Sequence, residues 1–290
     1  MKLTEITNEE YASLEEKNKQ KVLHKNSTVE MLVDIFENEA YYKIKETLDT
    51  LDGLLNTQTI CLSNQLQKIT SEIYSLYLTC FPKKIVNKIR SEDITAFSSE
   101  LINLQDRDDF FCIGPFLSAI INQHNSFKKP KEEYLLLINE LNIPISGIAW
   151  KNTAHVRVIG NVGNSACYEM TGGSVNIIGN AEDYLGSNVC NGKIRVSGNC
   201  GVGCGWEMKN GEITIDGDVD SLIGARMIGG RININGEIDE YPHRLAYGTT
   251  GLIIYNEKTT TNKYGTIIHK GNVIFQKEKP LYKKIFWWLK

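Results

Sequence analysis

The sequence predicts an α+β chain in which helices precede a β-solenoid, and three observations carry that prediction. Residues 155–239 divide into nineteen-residue lines without insertion, starting at His155, Ser174, Lys193, Glu212 and Arg231, the fifth cut short. The sixth position of every line is glycine (Gly160, Gly179, Gly198, Gly217, Gly236), and each full line closes on another (Gly173, Gly192, Gly211, Gly230). The second and fourth positions are β-branched: Val156/Val158, Val175/Ile177, Ile194/Val196, Ile213/Ile215 and Ile232/Ile234. Period two with polar residues between marks a strand with one buried face. One strand has nothing to bury that face against, so the unbroken register requires stacked coils. Glycine at fixed positions marks corners that need positive φ or close backbone approach. Asn161, Asn180 and Asn199 follow those glycines and are expected to stack, and Asn191-Gly192 and Asn210-Gly211 mark a second corner column.

The part before the lines, residues 1–142, reads as an all-α domain. Thr7-Asn-Glu-Glu10 and Ser27-Thr-Val-Glu30 each open a helix in capping-box form. Met31, Ile35, Tyr42 and Leu48 follow at helical spacing. A second helix is expected from Leu62 to Leu78, stopping at Phe81-Pro82. Shorter helical segments are expected over 99–104, 116–121 and 131–141, with a polar, proline-bearing loop at 125–130. Residues 143–147 read as the passage into the solenoid, whose first coil has to be covered because an open strand edge invites pairing with other chains. The helices, or the irregular turn at 148–154, are the candidates for that cover. After Asp239 the register fails, and the runs 251–255 and 265–275 read as strands of a closing cap, which ends the solenoid domain at about residue 279. The tail, 280–290, mixes lysines with Phe286, Trp287 and Trp288 and is expected to fold back onto the body.

Composition narrows the class. A length of 290 residues suits two domains with their own cores. A net charge of −3 gives no general pull toward nucleic acid or an anionic membrane. No apolar run approaches the ~20 residues of a spanning helix, and MKLTEITNEE lacks the apolar core of a signal peptide, so a soluble cytoplasmic protein is expected. Seven scattered cysteines do not form a secreted disulfide framework. Cys200-Gly-Val-Gly-Cys204 is the nearest thing to a metal motif. Yet Cys167, Cys190, Cys200 and Cys204 fall at four different line positions and do not stack on one face, so they read as small buried core residues. No metal ligand set, cofactor site or catalytic residue is assigned. His24 and His124 are isolated, and Gly201-Val-Gly-Cys-Gly205 does not sit between a strand and a helix as a dinucleotide loop must.

These lines resemble the GXGXG domain, above all GNVGNSACYEMTGG, GNCGVGCGWEMKNG and GDVDSLIGARMIGGRININGE, with Met170, Met208 and Met227 at a repeated position. That domain closes the large subunit of glutamate synthase and makes up one of the subunits of formylmethanofuran dehydrogenase. The resemblance covers about residues 155–275, and 264–275 is similar to the closing segment of such domains. It implies a right-handed parallel β-helix with a carboxy-terminal cap and a mainly architectural role, holding catalytic domains or subunits of an oxidoreductase or amidotransferase assembly together. The chain lacks a cysteine nucleophile after Met1 and any cluster-type cysteine run, so the resemblance implies the scaffold and not the glutamate synthase reaction.

The leading expectation is therefore a non-catalytic scaffold or interaction subunit with a protein partner, self-association being a further option. Its candidate surface is the outward ladder Arg157, Asn176, Arg195, Thr214 and Asn233, with Trp287 and Trp288 as a second anchor. An alternative is a module for an anionic cofactor or substrate arm held by Arg157, Arg195 and Arg226, since guanidinium forks match carboxylate and phosphate. Glu169, Glu207 and Arg226 share a column with Asn188 between them. A stand-alone β-helix enzyme is the third reading. Nineteen is not a multiple of the hexapeptide register, and Glu169, Glu207, Asp216 and Asp218 have no matched His or Lys column.

Overall fold

The computed structural model describes residues 27–40, 62–106, 110–128, 133–238 and 264–277. The strands within it form one eight-stranded sheet in sequence order: β1 (Tyr134–Leu137), β2 (His155–Ile159), β3 (Ser174–Ile178), β4 (Lys193–Val196), β5 (Glu212–Ile215), β6 (Ile228–Ile234), β7 (Tyr264–His269) and β8 (Asn272–Lys277). Strands β1 to β7 pair in parallel, and from β2 to β6 each residue faces the one nineteen positions on. At ~4.8 Å per rung the seven parallel strands stack into a rod roughly 30 Å long. This is a β-solenoid of about five turns.

Each coil fills its own interior with columns from all sides. Val156, Val175, Ile194, Ile213 and Ile232 form one column, and Val158, Ile177, Val196, Ile215 and Ile234 a second, all buried. Across the corner, Ile145, Val162, Ala181, Cys200, Val219 and Ile238 make a third, linked by single parallel bridges. Ala166, Leu185, Cys204 and Ile223 face them from the opposite side, joined by Met170, Val189, Met208 and Met227. The repeated methionine is thus an inward position. The corner glycines are needed because coils meet backbone to backbone: a Cβ on Gly217 would lie 2.6 Å from the carbonyl carbon of Gly198. Asparagines complete these corners, with Asn161 Oδ1 accepting from Asn180 N–H (2.8 Å) and Asn180 Oδ1 from Asn199 N–H (2.8 Å).

The first coil begins earlier than its sequence suggests. Helical spacing predicts a helix over 131–141, but Tyr134–Leu137 is strand β1, paired in parallel with β2. Tyr134, Leu136 and Ile138 point inward and are buried, while Leu135 and Leu137 are half-buried. A run of five apolar residues reads equally well at either period, and the partner strand decides. Residues 125–128, polar enough to predict a loop, instead finish helix α5 (Ile113–Lys128). The segment 99–104 divides between the end of α4 (Ser91–Glu100) and a 3-10 turn, Leu101–Asn103.

Helices cover the open end. α5 lies along the turn 146–153 and satisfies its backbone: Ser118 Oγ shares its one proton between Gly114 O of its own helix (2.7 Å) and Gly147 O (3.1 Å), and accepts from Trp150 N–H (3.0 Å). Asn122 donates to Trp150 O (3.0 Å) and accepts from Thr153 N–H (3.2 Å). α4 closes the outer edge of β1, where Ser98 Oγ accepts from Leu137 N–H at 2.8 Å. A polar side chain thereby occupies a donor that would otherwise template another strand. Behind α5, α1 (Ser27–Asp34) with its π-helical continuation Ile35–Ala40, and α2 (Leu62–Cys80), pack around Phe116. The rings of Phe36, Tyr77 and Phe81 lie 5.2 Å from it and that of Phe97 5.5 Å. One hydrophobic core runs unbroken from Leu32 to Ile267. At the far end β7 adds a last parallel rung and β8 turns back through Lys270-Gly271, whose φ values of 47° and 78° suit a two-residue hairpin turn. The expected strand at 251–255 and the tail bearing Trp287 and Trp288 lie outside the described residues.

Candidate functional site

One side of every coil is built from left-handed backbone at alternate residues. Three such columns run up the rod. The first is Gly147, Ser165, Tyr184, Gly203 and Leu222; the second is Ala149, Cys167, Gly186, Gly205 and Gly224. The third is Lys151, Glu169, Asn188, Glu207 and Arg226, with φ between 50° and 59°. The alternation turns successive N–H groups toward the neighbouring coils. Lys151 donates to Tyr168 O (2.8 Å), Glu169 to Ser187 O (2.9 Å), Asn188 to Trp206 O (2.7 Å) and Glu207 to Ala225 O (2.8 Å). These bonds hold the conformation against a strain of roughly 1–2 kcal/mol per non-glycine residue.

The second column is glycine in three coils, because a side chain there would run into the core: a Cβ on Gly186 would lie 2.7 Å from Ile213 Cδ1. The third column points outward and is polar in all five coils. Lys151 Nζ lies 3.5 Å from Glu169 Oε2, and Arg226 Nη1 lies 3.0 Å from Glu207 Oε1. The Lys151, Glu169 and Glu207 side chains are about a third exposed and Arg226 is 60% exposed. Pairs this open contribute about 0–1 kcal/mol each, which does not offset the strain of the backbone that carries them.

One residue before this column stand the aromatic groups Trp150, Tyr168 and Trp206, while Tyr184 belongs to the first column. Trp150 is buried and stacks on half-buried Tyr168 with ring centroids 4.3 Å apart, and Tyr184 meets Trp206 edge-on at 6.1 Å. Burial, helped by the carboxylates of Glu169 and Glu207, pushes the Tyr168 phenol up to about 12. It therefore stays protonated at neutral pH and hydrogen-bonds the Glu169 side chain. The site offers aromatic faces, carboxylate acceptors and cationic donors within one strip.

The other arginines do not join it. Arg157 and Arg195 lie on the strand face, and Arg226 lies in the left-handed segment. Arg195 Nε and Nη2 both reach Asp216 Oδ2, at 2.9 and 2.8 Å, while Asp216 Oδ1 accepts from Asn235 at 2.9 Å. Arg157 Nε sits 2.8 Å from Glu133 Oε2, close enough for charge contact but off the axis of a hydrogen bond. Asn233 bonds Glu212 and Thr214. Arg157, Arg195, Thr214 and Asn233 of the outward ladder are thus paired within the chain.

Cys167, Cys200 and Cys204 come together where line position alone kept them apart, while Cys190, expected in the core, is only half-buried. Cys200 and Cys204 are hydrogen-bonded thiols, and Cys167 lies near both. The columns that bear them face one another across a narrow interior, so different line positions do not mean separation. The bond to Cys204 and burial together raise the Cys200 thiol, and burial raises Cys167. Protonated, enclosed thiols of this kind behave as small apolar residues. Among the described residues no group of three or more His, Cys, Asp or Glu side chains is arranged to hold a metal ion. Among them, too, no helix is long and apolar enough to cross a membrane.

Sequence spacing places Glu169, Asn188, Glu207 and Arg226 in one column but misses Lys151 and the aromatic strip. The signal is there: Ile148-Ala-Trp-Lys aligns with Ala166-Cys-Tyr-Glu. It sits out of register because the first coil carries longer and shorter corners than the rest. No family model, curated protein or solved structure matches the chain.

Proposed function

We propose that the protein is a non-catalytic scaffold or interaction subunit that docks a protein partner on the left-handed side of its solenoid. The observation that carries this reading is the third left-handed column. Glycine would relieve its strain, as it does one column away, yet Lys151, Glu169, Asn188, Glu207 and Arg226 stand there instead. Strain held at consecutive positions without a matching gain in stability points to use of the side chains. Tyrosine, tryptophan and arginine, which supply most interface hot spots, stand beside the column as Tyr168, Tyr184 and Trp206 and within it as Arg226. The GXGXG-like pattern of residues 155–275 supports the same role, with a right-handed coil, a place within a larger oxidoreductase or amidotransferase assembly and a cytoplasmic setting as parts of the proposal.

The anionic-ligand alternative draws less support. Arg157, Arg195 and Arg226 each face a carboxylate of this chain, Glu133, Asp216 and Glu207 respectively, which an incoming anion would have to displace. The test is co-purification of the full chain from its source cell, followed by affinity measurement with the recovered partner. Truncating Tyr168 and Trp206 together to alanine is expected to weaken binding by about tenfold or more, whereas Lys84→Glu on the exposed helix α3 (Lys83–Val86) leaves it unchanged. Turnover of a small substrate by the isolated chain would overturn the scaffold reading. Full affinity in the double variant would remove this surface from it.

A further inference from the structure

The asparagine ladder at the corners has a missing first rung, and the place is open. From coil to coil a side-chain oxygen accepts the corner N–H above it: Asn161 serves Asn180, Asn180 serves Asn199, Asn199 serves Asp218 (2.9 Å) and Asp218 serves Glu237 (2.8 Å). The top of this ladder is closed, since the Glu237 carboxylate is paired with the Lys270 ammonium. At the bottom the rule fails. Ile145 occupies the bridge position that Val162 takes in the next coil, so the rung beneath Asn161 falls to Pro144. Proline has no side-chain acceptor, and among the described residues nothing accepts the Asn161 N–H.

The same corner holds a cleft. The chain needs eleven residues to pass from Tyr134 to Ile145, against six from Val156 to Val162, and the extra length bows outward over 139–144. The space beneath is an open-sided cleft of roughly 300 Å³, with Asn161, Asn139 and Asn142 on its wall and apolar surface from Ile138, Leu141 and Ile159 between them. That is the lower end of ligand-pocket volumes, room for a side chain or two. Between the lining residues Asn142 and Pro144, Ile143 is 51% exposed, one of the few large apolar side chains of the described residues left in solvent.

We propose that this cleft binds the side-chain carboxamide of an asparagine presented by a partner protein, which supplies the missing rung in trans. The ladder itself defines the ligand atom: an sp² oxygen at the position that Asn161 Oδ1 holds for the coil above. A neutral amide is preferred to a carboxylate because the cleft lining contains no cation to pair with a charge. The amide nitrogen of the incoming side chain remains free to bond outward. The site stands apart from the left-handed column and does not depend on that surface being an interface.

The experiment uses the full chain, isotope-labelled for amide detection by NMR, titrated with N-acetyl-asparagine methylamide. The Asn161 amide proton is expected to move downfield and saturate, with a dissociation constant in the millimolar range, roughly 1–10 mM for so small a probe. N-acetyl-alanine methylamide should leave it in place. Pro144→Asn supplies the rung in cis. In that variant the Asn161 proton should lie downfield without ligand, the melting temperature should rise, and the response to the probe should disappear. An Asn161 amide that responds no more to the asparagine compound than to the alanine one would overturn the proposal, and this arm needs no variant. So would a Pro144→Asn protein that folds and still binds as the parent does. Stronger binding of the aspartate analogue would overturn the choice of a neutral ligand.

Discussion

His124 illustrates how a single buried side chain sets a pH limit on this fold. Its Nε2 faces Ile89 O at 3.1 Å and must donate, so Nδ1 accepts from the Tyr134 hydroxyl at 2.8 Å. Lys128 Nζ shares the Ile89 carbonyl at 2.7 Å. Burial lowers the His124 pKa, the Ile89 carbonyl opposes it, and the Lys128 charge lowers it further, with Asp93 and Glu92 acting weakly the other way. The unfolded chain takes up a proton near its ordinary value of about 6.5, where the folded chain refuses it. The contribution is therefore complete above about pH 6.5 and is lost as pH falls from there toward the folded value. His124→Gln retains a donor for Ile89 and removes the titration. Urea midpoints taken at about pH 7.5 and 5.5 should fall further for the parent than for the variant, and an equal fall in both would show that His124 titrates normally.

The strands test the register. Ile213 of β5 is fully buried between Ile194 and Ile232, while Thr214 beside it faces outward between Arg195 and Asn233. Ile213→Asp buries an unpaired carboxylate in mid-rod and should cost several kcal/mol, about 4 or more. Thr214→Asp, placed next to Arg195, should cost less than about 1 kcal/mol. Thermal melts of the two variants check this, and coincident melting temperatures would mean that the inward and outward columns are assigned the wrong way round. The strand β1 shows the limit of such pattern arguments. Tyr-Leu-Leu-Leu-Ile carries no period of its own, and only Val156 and Val158 on the neighbouring strand, with Ser98 on the other edge, select the extended form.

For the molecule as a whole, the helices act as a cap on the rod. Phe116 is fully buried at the centre of the aromatic cluster on the face of α5 away from solvent. Its helix also satisfies the backbone of the first turn through Ser118 and Asn122. Phe116→Ala should cost about 3–5 kcal/mol and lower the melting temperature by ~10 °C. Because one core joins helices and coils, the strand signal in circular dichroism should fall in the same transition as the helix signal. A strand transition left at the parental temperature would instead make the solenoid an independent unit. Solenoids gain stability from neighbour interfaces, so damage at a cap is expected to propagate along the rod.

The solenoid, its period, its inward columns and its asparagine corners were determined by the sequence alone, because a nineteen-residue repeat makes every residue its own neighbour's template. Gly160, Val156 and Asn161 could be placed from spacing without knowing what lay above them. Tertiary structure decided what the repeat does not contain. The first coil departs from the period by a bowed corner and two shortened ones, and its strand, its Lys151 and its missing rung at Pro144 become visible only once β1 is seated on β2. The left-handed columns likewise leave no hydrophobic period, since their conformation is held by hydrogen bonds between coils and not by the side chains they carry. The pairing of Arg157 with Glu133 and of Arg195 with Asp216 was also a matter of structure, because these partners stand at other line positions, whereas spacing alone stacks Arg226 on Glu207. Local periodicity specifies what repeats, and long-range contact specifies what interrupts it.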